Sequence, residues 1–423
     1  MTGVRYRIAG LSAYRDELRT IMDPLLAGAA RLGHEARALA AGEPSRVLAA
    51  LRAKRVDFCL LTGRTAYYLA QHAPELLRAL QEEQVPSVAL WYDNPLRYLD
   101  VVAAVYADNL LLLTTADTKC AEELRRLGFA RAAYSPGCCF SPNFQPGSPT
   151  EDLRCELSFA GGYMSRDYFE TRYLPQHFRS MHEILFGDCQ DGTGEALRRL
   201  IEEFLALRRN TRRHVDVYEY LRDRLAPLEL RRYLPGCSHL LMHYQKTLER
   251  EQLFDAVTKV PDATLHCYGG ADVVLRKGDV MASPWKRVVF HPSLDQHTDL
   301  GRLFVSTGIN LGLSQFPRAV HRRYFESAAC GGFMIGEYKD DIEGLFDVGR
   351  EIVCFRDLDE LPDLIRHYRK RDAERARIGR LAHERSVKQH QPYHRVQALV
   401  PIIARELERF RDLYGARGGL CTK

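Results

Sequence analysis

The chain has 423 residues, of which 46% are hydrophobic, and its formal net charge at pH 7 is +5. This length predicts two or three globular domains, and so mild a charge does not point to a nucleic-acid partner. The 11 cysteines form no Cys-x-x-Cys pair, which argues against a zinc site and against a secreted disulfide framework. No apolar segment approaches the roughly 20 residues that cross a bilayer. We therefore expect a cytoplasmic protein, soluble or peripheral at the inner membrane face.

The first third of the chain alternates between short apolar segments and amphipathic segments, a pattern typical of a parallel sheet covered by helices. Apolar side chains recur at helical spacing from Asp16 to Leu32 and again from Ala116 to Leu127. We predict a Rossmann-like domain over residues 1–140, followed by a Pro- and Gly-rich linker. Its predicted strands lie near residues 5–11, 35–39, 56–62, 86–92, 109–114 and 131–135.

A second alternating region, residues 151–393, predicts another Rossmann-like domain. It is interrupted at 165–245 by a helical insertion, in which Arg198 to Arg232 holds ten arginines and six acidic residues. This basic segment is interpreted as a contact for an acceptor, a membrane face or a partner protein, or as a solvated helical hairpin. The predicted strands of the domain lie near residues 154–160, 263–268, 287–291, 308–313, 333–336 and 351–355.

The end of the chain, residues 394–415, predicts one long amphipathic helix. Its apolar residues recur at helical spacing from Val396 to Phe410.

The segment around Glu326 has the features of a nucleotide site. An apolar strand ends before Ser314, a helix is predicted to open near Ala319, and Gly331-Gly332 ends that helix before another apolar strand. Helix N-termini at the ends of parallel strands bind phosphate through free N–H groups, and a nearby carboxylate can accept both ribose hydroxyls. Glu326 is the candidate for that carboxylate. The alternative is a solvated helix acid followed by a simple glycine C-cap.

A series of motifs accompanies this segment in a fixed order. The central one, from Arg323 to Gly332, has the form R-x-F-E-x-x-A-x-G-G. Together the motifs resemble those of the CgeB-like glycosyltransferases, bacterial enzymes of the GT-B type, over most of the chain except about 165–245. The other motifs are Trp91-Tyr92-Asp93-Asn94-Pro95, Thr114-Thr115-Ala116-Asp117, Tyr134-Ser135-Pro136, Leu157-Ser158-Phe159-Ala160-Gly161-Gly162, Glu343-Gly344-Leu345-Phe346, Gly349-Arg350-Glu351, Asp359-Glu360-Leu361, Arg375, Gly379-Arg380 and His390.

The resemblance implies an α/β fold with two doubly wound Rossmann-like domains that face a cleft, and a C-terminal helix that crosses back onto the first domain. It assigns the acceptor to the first domain and a nucleotide diphosphate sugar, with a UDP-sugar expected, to the second. The acceptor is expected to be a glycan, a lipid-linked molecule or a protein, and no cofactor is expected. The residues implied to touch the donor are Glu326 at the ribose, Arg323 or Arg322 at the diphosphate, Gly161 and Gly162 at a phosphate, Tyr268 and Gly269 beside the base, and His291.

Asp93 is the candidate general base, because an inverting transfer requires a group that accepts the proton of the acceptor. It follows the predicted strand Ser87 to Tyr92 and precedes Asn94-Pro95, which should place its side chain at the edge of the sheet. The alternative is an Asx-turn residue.

Two features limit the expected chemistry. Many retaining enzymes of the GT-B type carry a second glutamate on the N-terminal side of the one at the ribose, and here that position is Arg318. The stereochemistry and the donor sugar therefore stay open. A metal is not expected, since the GT-B type needs no bound cation, and Asp357-Leu358-Asp359 is interpreted as a helix cap.

Two other functions fit the same fold. One is a nucleotide-sugar epimerase or hydrolase, which would need no acceptor. The other is a non-catalytic two-domain ligand-binding protein, for which a ribose-binding acid would be unnecessary.

Overall fold

The structure is a computed structural model that describes residues 4–414 apart from 43, 55, 141, 178, 187–192, 212–213, 226 and 270–284. The chain divides into two compact units. Unit 1 combines Met1–Phe144 with Ser386–Lys423, and unit 2 is Gln145–Arg385.

Unit 1 contains a six-stranded sheet whose strands all run parallel. Its strands are β1 (Arg7–Ser12), β2 (Glu35–Ala40), β3 (Phe58–Thr62), β4 (Ser87–Trp91), β5 (Leu110–Thr115) and β6 (Ala132–Tyr134). They lie in the order β2-β1-β3-β4-β5-β6. Every residue of β3, β4 and β5 is buried, as expected for central parallel strands that are covered on both faces.

Helices connect these strands, since parallel neighbours require a crossover. A π-helical segment, Leu18–Met22, joins the first two helices, and a 3₁₀ turn covers Pro95–Tyr98. The helices are α1 (Arg15–Glu17), α2 (Asp23–Arg31), α3 (Pro44–Lys54), α4 (Gly63–His72), α5 (Pro74–Glu82), α6 (Leu99–Val105) and α7 (Thr118–Arg126).

Unit 2 contains a second parallel sheet. Its strands are β7 (Cys155–Ala160), β8 (Leu265–Tyr268), β9 (Val288–His291), β10 (Thr307–Gly312), β11 (Met334–Glu337) and β12 (Val353–Phe355). They lie in the order β12-β11-β10-β7-β8-β9.

The helices of unit 2 fall into two groups, those of the insertion and those that connect the later strands. A π-helical segment, Phe169–Tyr173, lies in the insertion, and 3₁₀ turns cover Glu151–Leu153 and Asp340–Gly344. The insertion contains α8 (Arg166–Tyr168), α9 (Leu174–His177), α10 (Arg179–Phe186), α11 (Thr193–Thr211), α12 (Val217–Arg222) and α13 (Pro227–Thr258). The others are α14 (Leu300–Ser306), α15 (Arg322–Cys330), α16 (Leu361–Tyr368) and α17 (Asp372–Gln389), which ends in unit 1.

The last helix, α18 (Pro392–Tyr414), completes the core of unit 1. Its apolar residues, among them Leu399, Ile403 and Leu407, pack with buried residues of α2 and of the central strands. The approach to α2 is close, since a Cβ at Gly28 would lie 2.8 Å from the Cα of Tyr393. Residues that are far apart in sequence thus share one core.

The predicted fold class is confirmed, and each of the twelve predicted strands is present within a few residues of its expected bounds. Among the described residues, no helix has both the length and the apolar character needed to cross a membrane.

Candidate functional site

Three strand ends in unit 2 bring most of the predicted donor residues together. The carboxyl ends of β7, β8 and β9 are neighbours, and the amide of Gly161 donates to the carbonyl of Tyr268 at 2.8 Å. Gly269 has a φ of +157°, and a Cβ there would lie 2.3 Å from the amide nitrogen of Gly162. Only glycine fits this close approach of two chain segments. The adjacent Gly270 lies outside the described residues.

His291 joins this group through its ring. It stacks on Tyr268 with ring centroids 4.5 Å apart and an interplanar angle of 12°. His266 is its other neighbour, and Nε2 of His291 lies 2.9 Å from Nδ1 of His266. Burial lowers the pKa of both histidines and raises the pKa of Tyr268 to about 12. The three rings are therefore neutral near pH 7 and form a flat stack at the sheet edge.

The helix that carries Glu326 begins later than predicted. It starts at Arg322 rather than near Ala319, with His321 as the N-cap residue, whose Nδ1 accepts from the amide of Arg323 at 3.4 Å. The reason is local, because the hydroxyl of Ser314 donates to the carbonyl of Ala319 at 2.6 Å and holds the preceding residues in a turn. The first turn of α15 therefore displays both predicted arginines.

Glu326 is buried, with 4% of its surface exposed. Its carboxylate accepts a hydrogen bond of 2.5 Å from Arg323 and lies 3.6 Å from Nε of Arg322. The interpretation as a solvated helix acid is therefore wrong. Nε of Arg323 is itself buried and has no hydrogen-bond partner among the described residues, so this arginine retains a donor.

A cluster of cations surrounds this helix start, and two of its members were missed by the sequence analysis. Lys246 and Arg250 lie one turn apart on α13, and Nη2 of Arg250 is 3.4 Å from the position that a Cβ would take at Gly161. In the described part of the chain, Arg250 makes no hydrogen bond or ion pair with protein, and burial lowers its pKa to about 10. A half-buried cation that makes no direct ion pair with the described residues is suited to an anionic ligand.

The same cluster acts on His321. Burial, and then the charges of Arg323, Arg322, Arg250 and Lys246, hold the pKa of His321 well below its usual range. Four cations that would repel a further proton thus lie near one helix N-terminus, which is an arrangement suited to phosphate.

The low pKa of His321 makes a prediction for stability. The unfolded chain takes up a proton near pH 6.5 whereas the folded chain resists it, so stability should fall as pH decreases below about 6.5, by up to ~1.4 kcal/mol per pH unit. The free energy of unfolding, measured with urea at pH 7 and pH 5, should drop less in His321→Asn, because asparagine also caps helices. An equal drop in both proteins would contradict the prediction.

A further carboxylate lies at the end of β11. Glu337 accepts a hydrogen bond of 3.1 Å from the amide of Ser314 and pairs with Lys339 at 2.9 Å, and the lysine is nearly fully buried. Arg318, which replaces the acid of many retaining enzymes, lies 3.9 Å from Asp340. Sequence reasoning missed Glu337, since a Glu-x-Lys at a strand end has no distinctive pattern.

Asp357-Leu358-Asp359, which the sequence analysis interprets as a helix cap and not as a metal site, lies just before α16. Asp357 accepts a hydrogen bond from the amide of Asp359 at 3.0 Å. Helix α16 then begins at Leu361, two residues later than the cap interpretation requires, with Glu360 as its N-cap residue.

Asp93 lies in unit 1, directly after β4, and its side chain is exposed. The Asx-turn role falls to its neighbour, since the side chain of Asn94 is buried and accepts from the amide of Leu96 at 3.0 Å. The Asx-turn interpretation of Asp93 is therefore wrong, whereas its role as a base stays a prediction.

A second acid at this edge of unit 1 was not predicted. Glu17 is 1% exposed and accepts hydrogen bonds from the hydroxyls of Thr62, of Thr65 at 2.9 Å and of Ser12 at 3.4 Å. Burial raises its pKa. Because β1 and β3 both end beside it, Glu17 ties the two connections that follow these strands.

Aromatic rings also gather at this edge. Tyr14 and Tyr68 meet with centroids 6.0 Å apart, and Tyr67 meets Tyr98 at 6.0 Å. The guanidinium of Arg64 lies 4.6 Å above the ring of Tyr14. Tyr67 is 40% exposed, so the cluster reaches the surface of unit 1.

Comparison with known proteins places this geometry in context. Residues 247–400 match the family model described as glycosyl transferase-like. Among solved structures, the chain is similar to Anabaena Alr3699/HepE in complex with UDP and glucose, at 12% identity and a TM-score of 0.53, over 95% of this chain and all of that one. It is also similar to the sucrose-phosphate synthase tll1590 from Thermosynechococcus elongatus, at 12% identity and a TM-score of 0.51, over 97% of this chain and all of that one. No curated protein matches the sequence significantly.

These comparisons agree with the topology. The two structural similarities show the GT-B fold, and the family match begins on α13 and includes Arg250 and Glu326. Residues 247–400 thus form a glycosyl transferase-like region in a chain of GT-B fold. The predicted class of function, that of a glycosyltransferase, is confirmed.

Proposed function

We propose that the protein transfers a sugar from a nucleotide diphosphate sugar, with UDP as the nucleotide, to a glycan, lipid-linked or protein acceptor, and that it is of the CgeB-like type. The observation that carries the proposal is Arg250, a half-buried cation that makes no hydrogen bond or ion pair with the described part of the chain and lies beside Gly161 and near His321 at the start of α15. UDP is favoured because Alr3699/HepE was solved with UDP.

The donor is proposed to bind unit 2 along its carboxyl edge. A diphosphate leaving group requires positive charge or N–H dipoles in the transition state. Arg250, Lys246 and the N-terminus of α15 would supply both, with Arg323 donating through its unpartnered Nε. Glu326 would accept the ribose hydroxyls, and the stack of Tyr268 and His291 would flank the base.

The acceptor is proposed to bind unit 1, where Asp93 is exposed directly after β4 and the cluster of tyrosines reaches the surface. Asp93 would accept the proton of the acceptor hydroxyl as the new glycosidic bond forms at the sugar and the diphosphate leaves. A reducing, cytoplasmic location is supported by the nine described cysteines, which are all free.

The first experiment is a calorimetric titration of the protein with UDP, GDP, ADP, TDP and CMP. Micromolar binding of UDP alone would support the proposal, and no binding of any nucleotide would contradict it. A following assay of donor turnover separates the alternatives, because an epimerase or a hydrolase consumes donor without an added acceptor and a non-catalytic protein consumes none.

Glu326→Gln tests the ribose assignment in the same titration. Loss of the charged acceptor is expected to weaken UDP binding by roughly 1–2 kcal/mol, the scale of a hydrogen bond to a charged group. The preference for UDP over 2′-deoxy-UDP should fall to nearly one in the variant, because the deoxy ligand lacks one of the two hydroxyls. Glu343→Gln, at an exposed acid, serves as the control. An unchanged preference would remove Glu326 from the ribose site.

A further inference from the structure

Helix α13 presents two neighbouring faces in its segment from Gln245 to Arg250. Gln245 and Glu249 are one turn apart and lie on one face, whereas Lys246 and Arg250, one residue later in each turn, lie on the next. The charges of Lys246 and Arg250 lower the pKa of His321, and Arg250 lies beside Gly161. The face with Gln245 and Glu249 points toward α11 and the residues before α12.

Residues of α11 and of the segment before α12 make several polar contacts with the face of α13 that carries Gln245 and Glu249. Glu249 is 4% exposed, and it lies 3.1 Å from Nδ1 of His214 and 3.5 Å from Nη2 of Arg208. The side-chain oxygen of Gln245 accepts from the amide of Val215 at 3.0 Å, and its nitrogen lies 3.0 Å from Nδ1 of His214. Helix α11 and the residues that precede α12 are thus fixed to α13 beside its cationic face.

Arg208 is unusual among these contacts. It is 1% exposed, and its Nε and Nη1 have no hydrogen-bond partner in the described part of the chain. Among the described residues its paired carboxylate is Glu249, which also pairs with His214 and is within electrostatic reach of buried Lys339. A fully buried guanidinium with a shared counterion is costly, and an apolar residue of similar size often attaches a helix with less penalty. This cost points to a role for Arg208 other than attachment.

We propose that the helical insertion is a positioning element of the donor site. In this inference, which rests on the proposed function, Arg208 and His214 fix Glu249 and thereby orient Lys246 and Arg250 toward the diphosphate. Arg208 and His214 are positioning residues, since they act through α13 and not on the donor itself.

The test compares UDP with uridine, which lacks the phosphates, by calorimetric titration of Arg208→Met. Affinity for UDP should fall about tenfold while that for uridine stays unchanged, and Arg208→Lys should recover part of the loss. Arg199→Met is the matched control, because Arg199 lies on the same helix, exposed and paired with Glu203 at 3.0 Å. The melting temperature of each variant shows whether it is folded.

A double variant separates positioning from a direct contact. If Arg208 acts through Lys246 and Arg250, then Arg208→Met should cause a smaller loss of UDP affinity in the Arg250→Met background than in the unaltered protein. Additive losses, or equal losses for UDP and uridine, would overturn the inference. If Arg208→Met does not fold, His214→Ala takes its place with the same expectations. Intact UDP binding in these variants overturns only the positioning role, whereas no UDP binding by the unaltered protein overturns the proposed function.

Discussion

Arg250→Met is expected to weaken UDP binding by roughly 100-fold, which is about 2.7 kcal/mol, because it removes a half-buried charged donor from the proposed diphosphate site. The guanidinium lies beside Gly161 at the end of β7, where a bound phosphate would meet it directly. Calorimetric titration with UDP measures the loss. Uridine should bind both proteins equally, since it lacks the group that Arg250 contacts.

The same substitution has an unusual expectation for stability. Burial lowers the pKa of Arg250, so its charge is less favourable in the folded protein without ligand than in the unfolded chain. Removing it leaves no partner unpaired, and the melting temperature of Arg250→Met should therefore be unchanged or raised. Arg302→Met is the control, since Arg302 is exposed and paired with Asp152 at 3.1 Å. A fall in melting temperature with normal UDP affinity would mean that Arg250 serves the fold and not the ligand.

The fold could be predicted from sequence because its signal is local. Central strands such as β3 and β5 are continuous apolar runs, since both of their faces are covered. Turn residues and amphipathic segments between the runs then fix the order of the elements. Helix α15 begins later than predicted because a side-chain hydrogen bond from Ser314 stabilises the turn before it. Helix propensities do not take such a bond into account.

The candidate site was predicted only in part, and the difference has a physical cause. Gly161, Gly269 and Glu326 occur at strand ends or in a motif, where local pattern already indicates their setting. Lys246 and Arg250 lie within a long helix, where charges at this spacing usually form a solvated face. Their position near His321 depends on contacts between distant segments, which no short window of sequence reveals.

The insertion shows the same limit more strongly. Arg208 and Glu249 are 41 residues apart in sequence and meet only through the packing of α11 on α13. From sequence, the arginines of this region were interpreted as part of a contact for an acceptor, a membrane face or a partner protein, or of a solvated helical hairpin. Several are indeed exposed and paired within their own helix, such as Arg199 with Glu203. The buried one could not be told from the others by composition.

Unit 1 contains two acids that compete for the role of general base, and their surroundings favour Asp93. Both oxygens of Glu17 already accept hydroxyl hydrogen bonds, and its side chain is closed off from solvent. At 1% exposure, such a group meets no acceptor hydroxyl unless the surrounding side chains first rearrange. Asp93 is exposed at the same edge of the sheet, and no rearrangement is required for it to meet a hydroxyl.

Asp93→Asn is accordingly expected to lower the turnover number by about 100-fold or more, the typical contribution of a general base, while UDP affinity stays unchanged. UDP release from a panel of UDP-sugars in the presence of candidate acceptors measures the first quantity, and calorimetry measures the second. Asp100→Asn, at another exposed acid of the same region, is the control.

Glu17→Gln should instead lower the melting temperature, because the amide replaces one acceptor of the hydroxyl network with a donor. Normal turnover in Asp93→Asn together with lost turnover in a folded Glu17→Gln would exchange the roles of the two acids.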